Sequence, residues 1–339
     1  MYPVVRLRRN RKTSWLRELV AESRLSVNDL VLTLFVVEGE EERQVIDTMP
    51  GIYRLSIDQL VLTVKQAAEN GIRAVALFPC IEDDLKSENA DEAYNLDNLI
   101  CRAIRSIKSA NINIGIICDV ALDPYTTHAH DGIIHNGDVD NDRTVEALCN
   151  QALVLAKAGA DMVAPSDMMD GRIMAIREKL DSEGFTHINI IAYAAKYASN
   201  FYAPFRDALN NKNTGINKAT YQMDIRNIKE AMLEIELDLA EGADMIMIKP
   251  GMMYLDVIRE AANNFNTNIF AYQVSGEYAM LRFAAEVDAL DWSAILLESL
   301  ICFKRAGATA IFTYAALEVA QILNNTKVLD PNDKKYAQK

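Results

Sequence analysis

The chain has 339 residues, 50% of them hydrophobic and 24% charged, with a formal net charge of −13. This length suits one large α/β barrel or two smaller domains, and the composition is that of an ordinary globular protein. The negative balance argues against non-specific nucleic-acid binding, and no run of about 18 uncharged apolar residues is present to span a membrane.

The N-terminus, MYPVVRLRRNRK, is basic but has no apolar segment after its charges, so it does not read as a secretory leader. Arg6, Arg8, Arg9, Arg11, Lys12, Arg17 and Arg24 stand against only Glu18 and Glu22. A basic arm on an acidic body is expected to pack on a neighbouring subunit, because that body repels nucleic acid. The chain divides into an arm (1–24), a catalytic barrel (25–330) and a polar tail (331–339). Cys80, Cys101, Cys118, Cys149 and Cys302 are odd in number, scattered in apolar segments and free of any CxxC pair. They indicate neither a disulfide framework nor a thiolate zinc site, and a reducing cytoplasm suits them.

After a short helix at 15–22, a repeated pattern begins. Apolar strands are predicted at 30–37, 73–78, 114–120, 161–164, 188–193, 245–248, 269–274 and 309–313. Helical spacing occupies 57–70, 96–110, 144–158, 171–183, 227–241, 255–264, 292–305 and 316–324. Several of these helices stop at a glycine (Gly71, Gly159, Gly184, Gly242), as C-terminal caps do. Alternating helices and short buried strands imply parallel βα units, and eight of them imply a closed (β/α)8 TIM barrel. An open doubly wound sheet is the alternative, but no GxGxxG follows the first strand.

Catalytic groups of such barrels sit beyond the C-terminal ends of the strands. Asp119 comes after the third strand, followed by ALDPYTTHAHDG with Asp123, His128, His130 and Asp131. Ser166 and Asp167 follow the fourth strand; Tyr193, Lys196, Ser199, Tyr202, Phe205 and Arg206 follow the fifth. Lys249 follows the sixth, Ser275 the seventh and Tyr314 the eighth.

Lys249 closes an apolar strand in GADMIMIKPGMMY. A lysine there either snorkels into water or is buried, with a depressed pKa that frees the amine to attack a carbonyl. A second amine, Lys196, on the same rim pushes in the same direction. Arg206 and Lys218 are suited to bind a carboxylate. The HxH of the third loop has the composition of a cation site and equally of a solvated lid, and with four histidines in the chain a histidine-rich zinc site is disfavoured. Glu230, Glu234 and Asp238 lie on one helix face, which most often means solvation.

Long blocks carry a specific resemblance: DVALDPYTTHAHDG, APSDMMDGR, AKYASNFYAPFRDA, ATYQMD, GADMIMIKPGMMYLD and YQVSGEYAM. Over nearly its whole length the chain resembles the porphobilinogen synthase (5-aminolevulinate dehydratase) family. The resemblance implies condensation of two 5-aminolevulinates to porphobilinogen, with loss of two waters, through Schiff bases on Lys249 and Lys196. Arg206 and Lys218, with Gln222 nearby, resemble the carboxylate binders of one substrate, and Ser275 and Tyr314 those of the other. Asp119, Ser166 and Asp167 resemble groups that contact the second substrate's amine or handle protons.

Where zinc-dependent members carry three cysteines, this chain has Ala121, Asp123 and Asp131, so the resemblance implies no zinc and points to the aspartate-rich branch. In that branch Mg2+ acts allosterically, and Glu234 matches its ligand. Asp123 and Asp131 are candidates for Mg2+ or K+ in the active site. Ala129 replaces the usual glycine between the histidines, and alanine resists positive φ. The family forms octamers whose N-terminal arms wrap neighbours. Another lysine-dependent lyase would leave the second lysine and two carboxylate sites unused. A non-catalytic scaffold would have lost rim residues that are all present here.

Overall fold

The computed structural model describes residues 2–210 and 217–325; the polar tail at 331–339 and the last residues assigned to the barrel, 326–330, lie outside them. Eight parallel strands form the barrel: β1 (Leu30–Val36), β2 (Ala74–Pro79), β3 (Gly115–Val120), β4 (Met162–Pro165), β5 (Asn189–Lys196), β6 (Met245–Lys249), β7 (Asn268–Tyr272) and β8 (Ala310–Thr313). Each pairs with the next, and β8 pairs back onto β1 through Leu30 and Ile311, closing the ring. The strands are almost entirely buried, as apolar runs between a packed interior and a helical shell must be.

The shell consists of α1 (Ile57–Glu69), α2 (Leu99–Ser109), α3 (Asn141–Ala158), α4 (Arg172–Ser182), α5 (Lys229–Ala240), α6 (Leu255–Asn264), α7 (Trp292–Ala306) and α8 (Ala316–Asn325). Their sequence spacing is visible in what they bury: Leu60, Val64 and Ala67 on α1, and Val257, Ile258 and Ala261 on α6. Spacing did not reveal the helix Ser275–Glu286, or the short helix Ala203–Ala208. A small antiparallel pair, Arg43–Val45 with Tyr53–Leu55, extends the sheet beside β1. No side chain between residues 2 and 24 is buried.

The recurring Gly-Ala junctions have a structural cause. Gly159, Gly242 and Gly307 close their helices at φ +107°, +105° and +120°, a conformation in which a Cβ is strained. Two residues later, the same device recurs three times. Asp161 donates its N–H to the Ile116 carbonyl at 3.0 Å and accepts the Ile116 N–H on its carboxylate at 2.8 Å. Asp244 does the same with Ile190 (3.0 and 2.8 Å), and Thr309 does so with Ile269 (2.7 and 3.2 Å) through its hydroxyl in place of a carboxylate. Each pair of bonds clamps the start of one strand to its neighbour and satisfies an amide that the ladder leaves open. We expect Asp244→Ala to lose about 1 kcal/mol of stability in urea titration. Unchanged stability would deny the clamp its role.

Candidate active site

β5 and β6 deliver the two lysines, each as the last residue of its strand, and the two are direct register partners. Adjacent strands run about 4.8 Å apart, so both amines rise from one patch of the rim. The alignment depends on an irregularity. Ile246 pairs with Ala192, whereas Ile248 pairs with Ala195, so β5 carries one residue more than β6 across this stretch. Side chains alternate along a strand, and Tyr193 and Lys196 are three apart, so a regular strand would send them to opposite faces. The bulge lets both face the interior. The Tyr193 ring centre lies 5.1 Å from Lys249 Nζ, while Lys196 Nζ donates to the Ser166 carbonyl and lies 3.5 Å from Asp131 Oδ2.

Lys249 is 6% exposed and boxed by rings, with Tyr272 at 4.8 Å, Phe205 at 5.1 Å and Tyr202 at 5.3 Å from Nζ to the ring centres. Burial, then the neighbouring Lys196 charge, pushes its pKa down to about 7, against the pull of Asp119, Asp123 and Asp131. The snorkelling alternative therefore fails: the side chain does not leave the barrel. Asp119, closing β3 one place before Val120, is pushed up to about 7 by burial in spite of both lysines. Asp167, wholly buried beyond β4, is raised to about 6 by burial, opposed by Arg172, and accepts the Met169 N–H at 2.8 Å. Such values suit carboxyls that gain and lose protons near neutral pH.

The loop after β3 packs over this patch rather than standing in solvent. Tyr125 and Thr126 are buried, and Asp131 is 1% exposed. Asp131 accepts from Lys218 at 3.1 Å and from Gln222 Nε2 at 3.2 Å; Lys218 also reaches Asp123 at 3.2 Å. Burial works to raise the Asp131 carboxyl, but Lys196 and Lys218 overcome it and hold it well below the ordinary carboxylate range. Asp123 moves the other way, raised by burial against Lys218. Tyr221 OH receives the Asp131 N–H at 3.1 Å and lies 3.1 Å from His130 Nδ1. Burial and the neighbouring His128 and Lys218 push His130 down to about 4, so it is neutral at physiological pH. Ala129 adopts φ +57°, the left-handed conformation that its methyl disfavours.

Ser275 is buried, accepts the Phe205 N–H at 2.9 Å and donates to the Phe201 carbonyl at 3.2 Å. Tyr314 lies against Phe35 and shares a 3.1 Å hydrogen bond with Tyr272. Arg206 stands apart from this cluster in character: it is exposed, on the helix Ala203–Ala208. Lys218 is engaged by two carboxylates rather than waiting for one.

The acidic face of α5 is corrected by the structure. Asp238 is 1% exposed and takes a bidentate pair of bonds from Arg172 at 2.5 and 3.0 Å. Arg172 also donates to the Tyr193 carbonyl and lies 3.8 Å from Asp167, so it braces β5 and the β4 loop together. Periodicity could not reveal this, because the partner of Asp238 is 66 residues away. The buried Glu277 and the ring of Tyr272 also went unread as site residues.

Among the described residues, no group of three or more His, Cys, Asp and Glu side chains could hold a metal ion. Asp131 gives its two oxygens to Lys218, Lys196 and Gln222, and Asp123 gives Oδ2 to Lys218, so an ion between them would have to displace the Lys218 ammonium. No described helix is long and apolar enough to cross a membrane.

The geometry predicts unusual amine reactivity. A lysine with pKa about 7 is neutral above that pH, so reductive methylation of Lys249 should rise through pH 7 and then level off. Ordinary lysines continue to gain reactivity toward pH ~10. Lys196→Met should move the Lys249 midpoint upward by removing a repelling charge. Peptide mass mapping across pH measures this, and a Lys249 midpoint above 9 would exclude the depressed amine.

A family model described as Delta-aminolevulinic acid dehydratase matches residues 4–322. The chain is 51% identical over 320 residues to the delta-aminolevulinic acid dehydratase of Bradyrhizobium diazoefficiens, covering 94% of this chain and 91% of that protein. It is 48% identical over 324 residues to a chloroplastic delta-aminolevulinic acid dehydratase of Glycine max, covering 95% and 78%. The crystal structure of delta-aminolevulinic acid dehydratase (porphobilinogen synthase) from Toxoplasma gondii ME49, in complex with the reaction product porphobilinogen, superposes with a TM-score of 0.94 at 47% identity, covering 97% and 96% of the two chains. With a closed parallel barrel and two register-paired lysines at its rim, the chain belongs to the delta-aminolevulinic acid dehydratase family.

Proposed function

We propose that this protein condenses two molecules of 5-aminolevulinate to porphobilinogen, releasing two waters, through Schiff bases on Lys249 and Lys196. The observation that carries this reading is the pair of buried amines side by side on β5 and β6, one of them poised near neutrality. A neutral amine attacks a ketone; the carbinolamine then loses water to give an iminium that acidifies the adjacent carbon. Two such lysines let each ketone be held separately while carbon–carbon and carbon–nitrogen bonds form between the substrates. An aldolase-like use of Lys249 alone would give Lys196 no task.

The other rim groups take their roles from the same reading. Arg206, Lys218 and Gln222 hold the carboxylate of one substrate, so Lys218 must trade its carboxylate partners for the ligand. Ser275 and Tyr314 bind the carboxylate of the other. Asp119, with a pKa about 7, and Asp167, with a pKa about 6, accept and return protons as amine and carbon centres react, and Ser166 helps seat the substrate amine. Apolar walls around Lys249 keep water from competing for the iminium.

Regulation by Mg2+ at Glu234 is part of the proposal. Glu234 is half-buried with its carboxyl raised by burial, and Asp238, Asp170 and Glu230 add negative potential around it while Arg172 subtracts from it. Mg2+ keeps most of its waters and takes one or two carboxylates, which suits a lone carboxylate in an acidic setting. No ion is assigned to Asp123 and Asp131. The exposed basic arm at 2–24 supports assembly through arms wrapped on acidic neighbours, as an octamer, with residues from 25 onward forming the catalytic barrel. Scattered cysteines, three of them buried, accord with a cytoplasmic location.

Two measurements test the reading. Incubation with labelled 5-aminolevulinate and borohydride should fix substrate on Lys249, while a colour assay detects porphobilinogen; label absent from the peptide 242–259 would refute the assignment. Glu234→Ala should abolish both the rise in activity with added Mg2+ and the Mg2+ binding heat in calorimetry. An unchanged binding heat would move the ion elsewhere.

A further inference from the structure

The turn that leaves Lys249 is held by a carboxylate that none of the roles above uses. Glu277 is the third residue of the helix Ser275–Glu286 and is 0% exposed. Its Oε2 accepts the Val274 N–H at 2.9 Å, and its Oε1 accepts the Met253 N–H at 3.1 Å. The backbone of Met252 and Gly251, in the same turn, also lowers the pKa of this carboxyl. One side chain therefore ties an amide of the turn after Lys249 to the amide just before Ser275. Capping the helix requires only the Val274 bond; the bond to Met253 does nothing for the helix.

The turn has little freedom to find another course. A Cβ on Gly251 would overlap the Phe303 ring and stand 3.0 Å from the Tyr272 carbonyl. Burial pushes the Glu277 carboxyl up to about 7, while the Val274 and Met253 amides, each bonded to one of its oxygens, pull the other way. Ser275, on the other side of the knot, accepts the N–H of Phe205, whose ring lies 5.1 Å from Lys249 Nζ. The same carboxylate thus joins the backbone beyond Lys249 to the backbone that carries part of its aromatic box.

We propose that Glu277 is a positioning residue for the condensation, fixing the 250–253 turn so that the Lys249 amine stays against its aromatic box and beside Lys196. The inference rests on the Schiff-base reading of Lys249. Glutamine at this position keeps one acceptor oxygen and turns an NH2 toward amides that can only donate, so the turn loosens while the helix keeps its first-turn shape.

The test compares the two lysines within one molecule. Full-length protein and its Glu277→Gln variant are incubated with labelled 5-aminolevulinate, quenched with borohydride over time, and mapped by peptide mass. The expected result is at least tenfold slower labelling of Lys249 in the variant, with Lys196 labelled within twofold of normal and circular dichroism unchanged. Equal slowing at both lysines, or no slowing at Lys249, overturns the positioning role. If Glu277→Gln does not fold, Glu277→Asp, which keeps the carboxyl but withdraws it by one methylene, is read by the same two criteria. Failure of both to fold makes Glu277 a folding residue and overturns the proposal. Absence of label at Lys249 in the unaltered protein would instead overturn the Schiff-base reading itself.

Discussion

Two ammonium-bearing side chains on adjacent strands, at one level of the rim and out of reach of bulk water, form the constraint on which this site depends. Like charges at that separation in a dry interior repel, and the cheapest relief is for one of them to give up its proton. Lys249 is the one surrounded by rings; Lys196 has Asp131 and the Ser166 carbonyl for company. The difference between the two amines therefore comes from what encloses each side chain. The acids follow from the same logic. Asp119 and Asp167 are buried enough to hold protons, while Asp131, between Lys196 and Lys218, stays ionised and supplies the compensating charge.

The barrel was legible in the sequence because its signals are local. A glycine after most of the helices and an apolar run soon after it need no distant partner to be seen. Lys249 was legible for the same reason, since an ammonium closing an apolar strand is a local contradiction. Arg172 and Glu277 were not, because a buried charge is recognised by its partner, and the partners lie on other elements. Asp238 shows the converse error: on its own helix it continues an acidic stripe, and only Arg172 on α4 turns it inward. The helix Ser275–Glu286 was missed because its outer face is unusually apolar. Met280 and Phe283 are both 45% exposed, which blurs the polar stripe that normally marks a surface helix.

Ala129 illustrates a local conflict that the tertiary structure overrides. Its neighbours His128 and His130 both have hydrogen-bond partners, His128 at the Glu88 carbonyl on the surface and His130 at the Tyr221 hydroxyl. Between these two anchored side chains the backbone takes positive φ although the residue is not glycine. The loop is therefore held by its contacts rather than by its own preference.

The clamp formed by Asp244 lies at the foot of β6, five residues and about 16 Å from the amine it serves. Register errors in a sheet do not fade with distance; a slip at one end arrives undiminished at the other, and each residue of slip turns every side chain to the opposite face. The bulge in β5 has already spent one such step to turn Lys196 inward. A carboxylate at the far end of the barrel thus acts as the zero mark of a ruler whose other end reads the alignment of two rim amines. Sites built on neighbouring strands inherit their tolerances from the opposite end of the barrel.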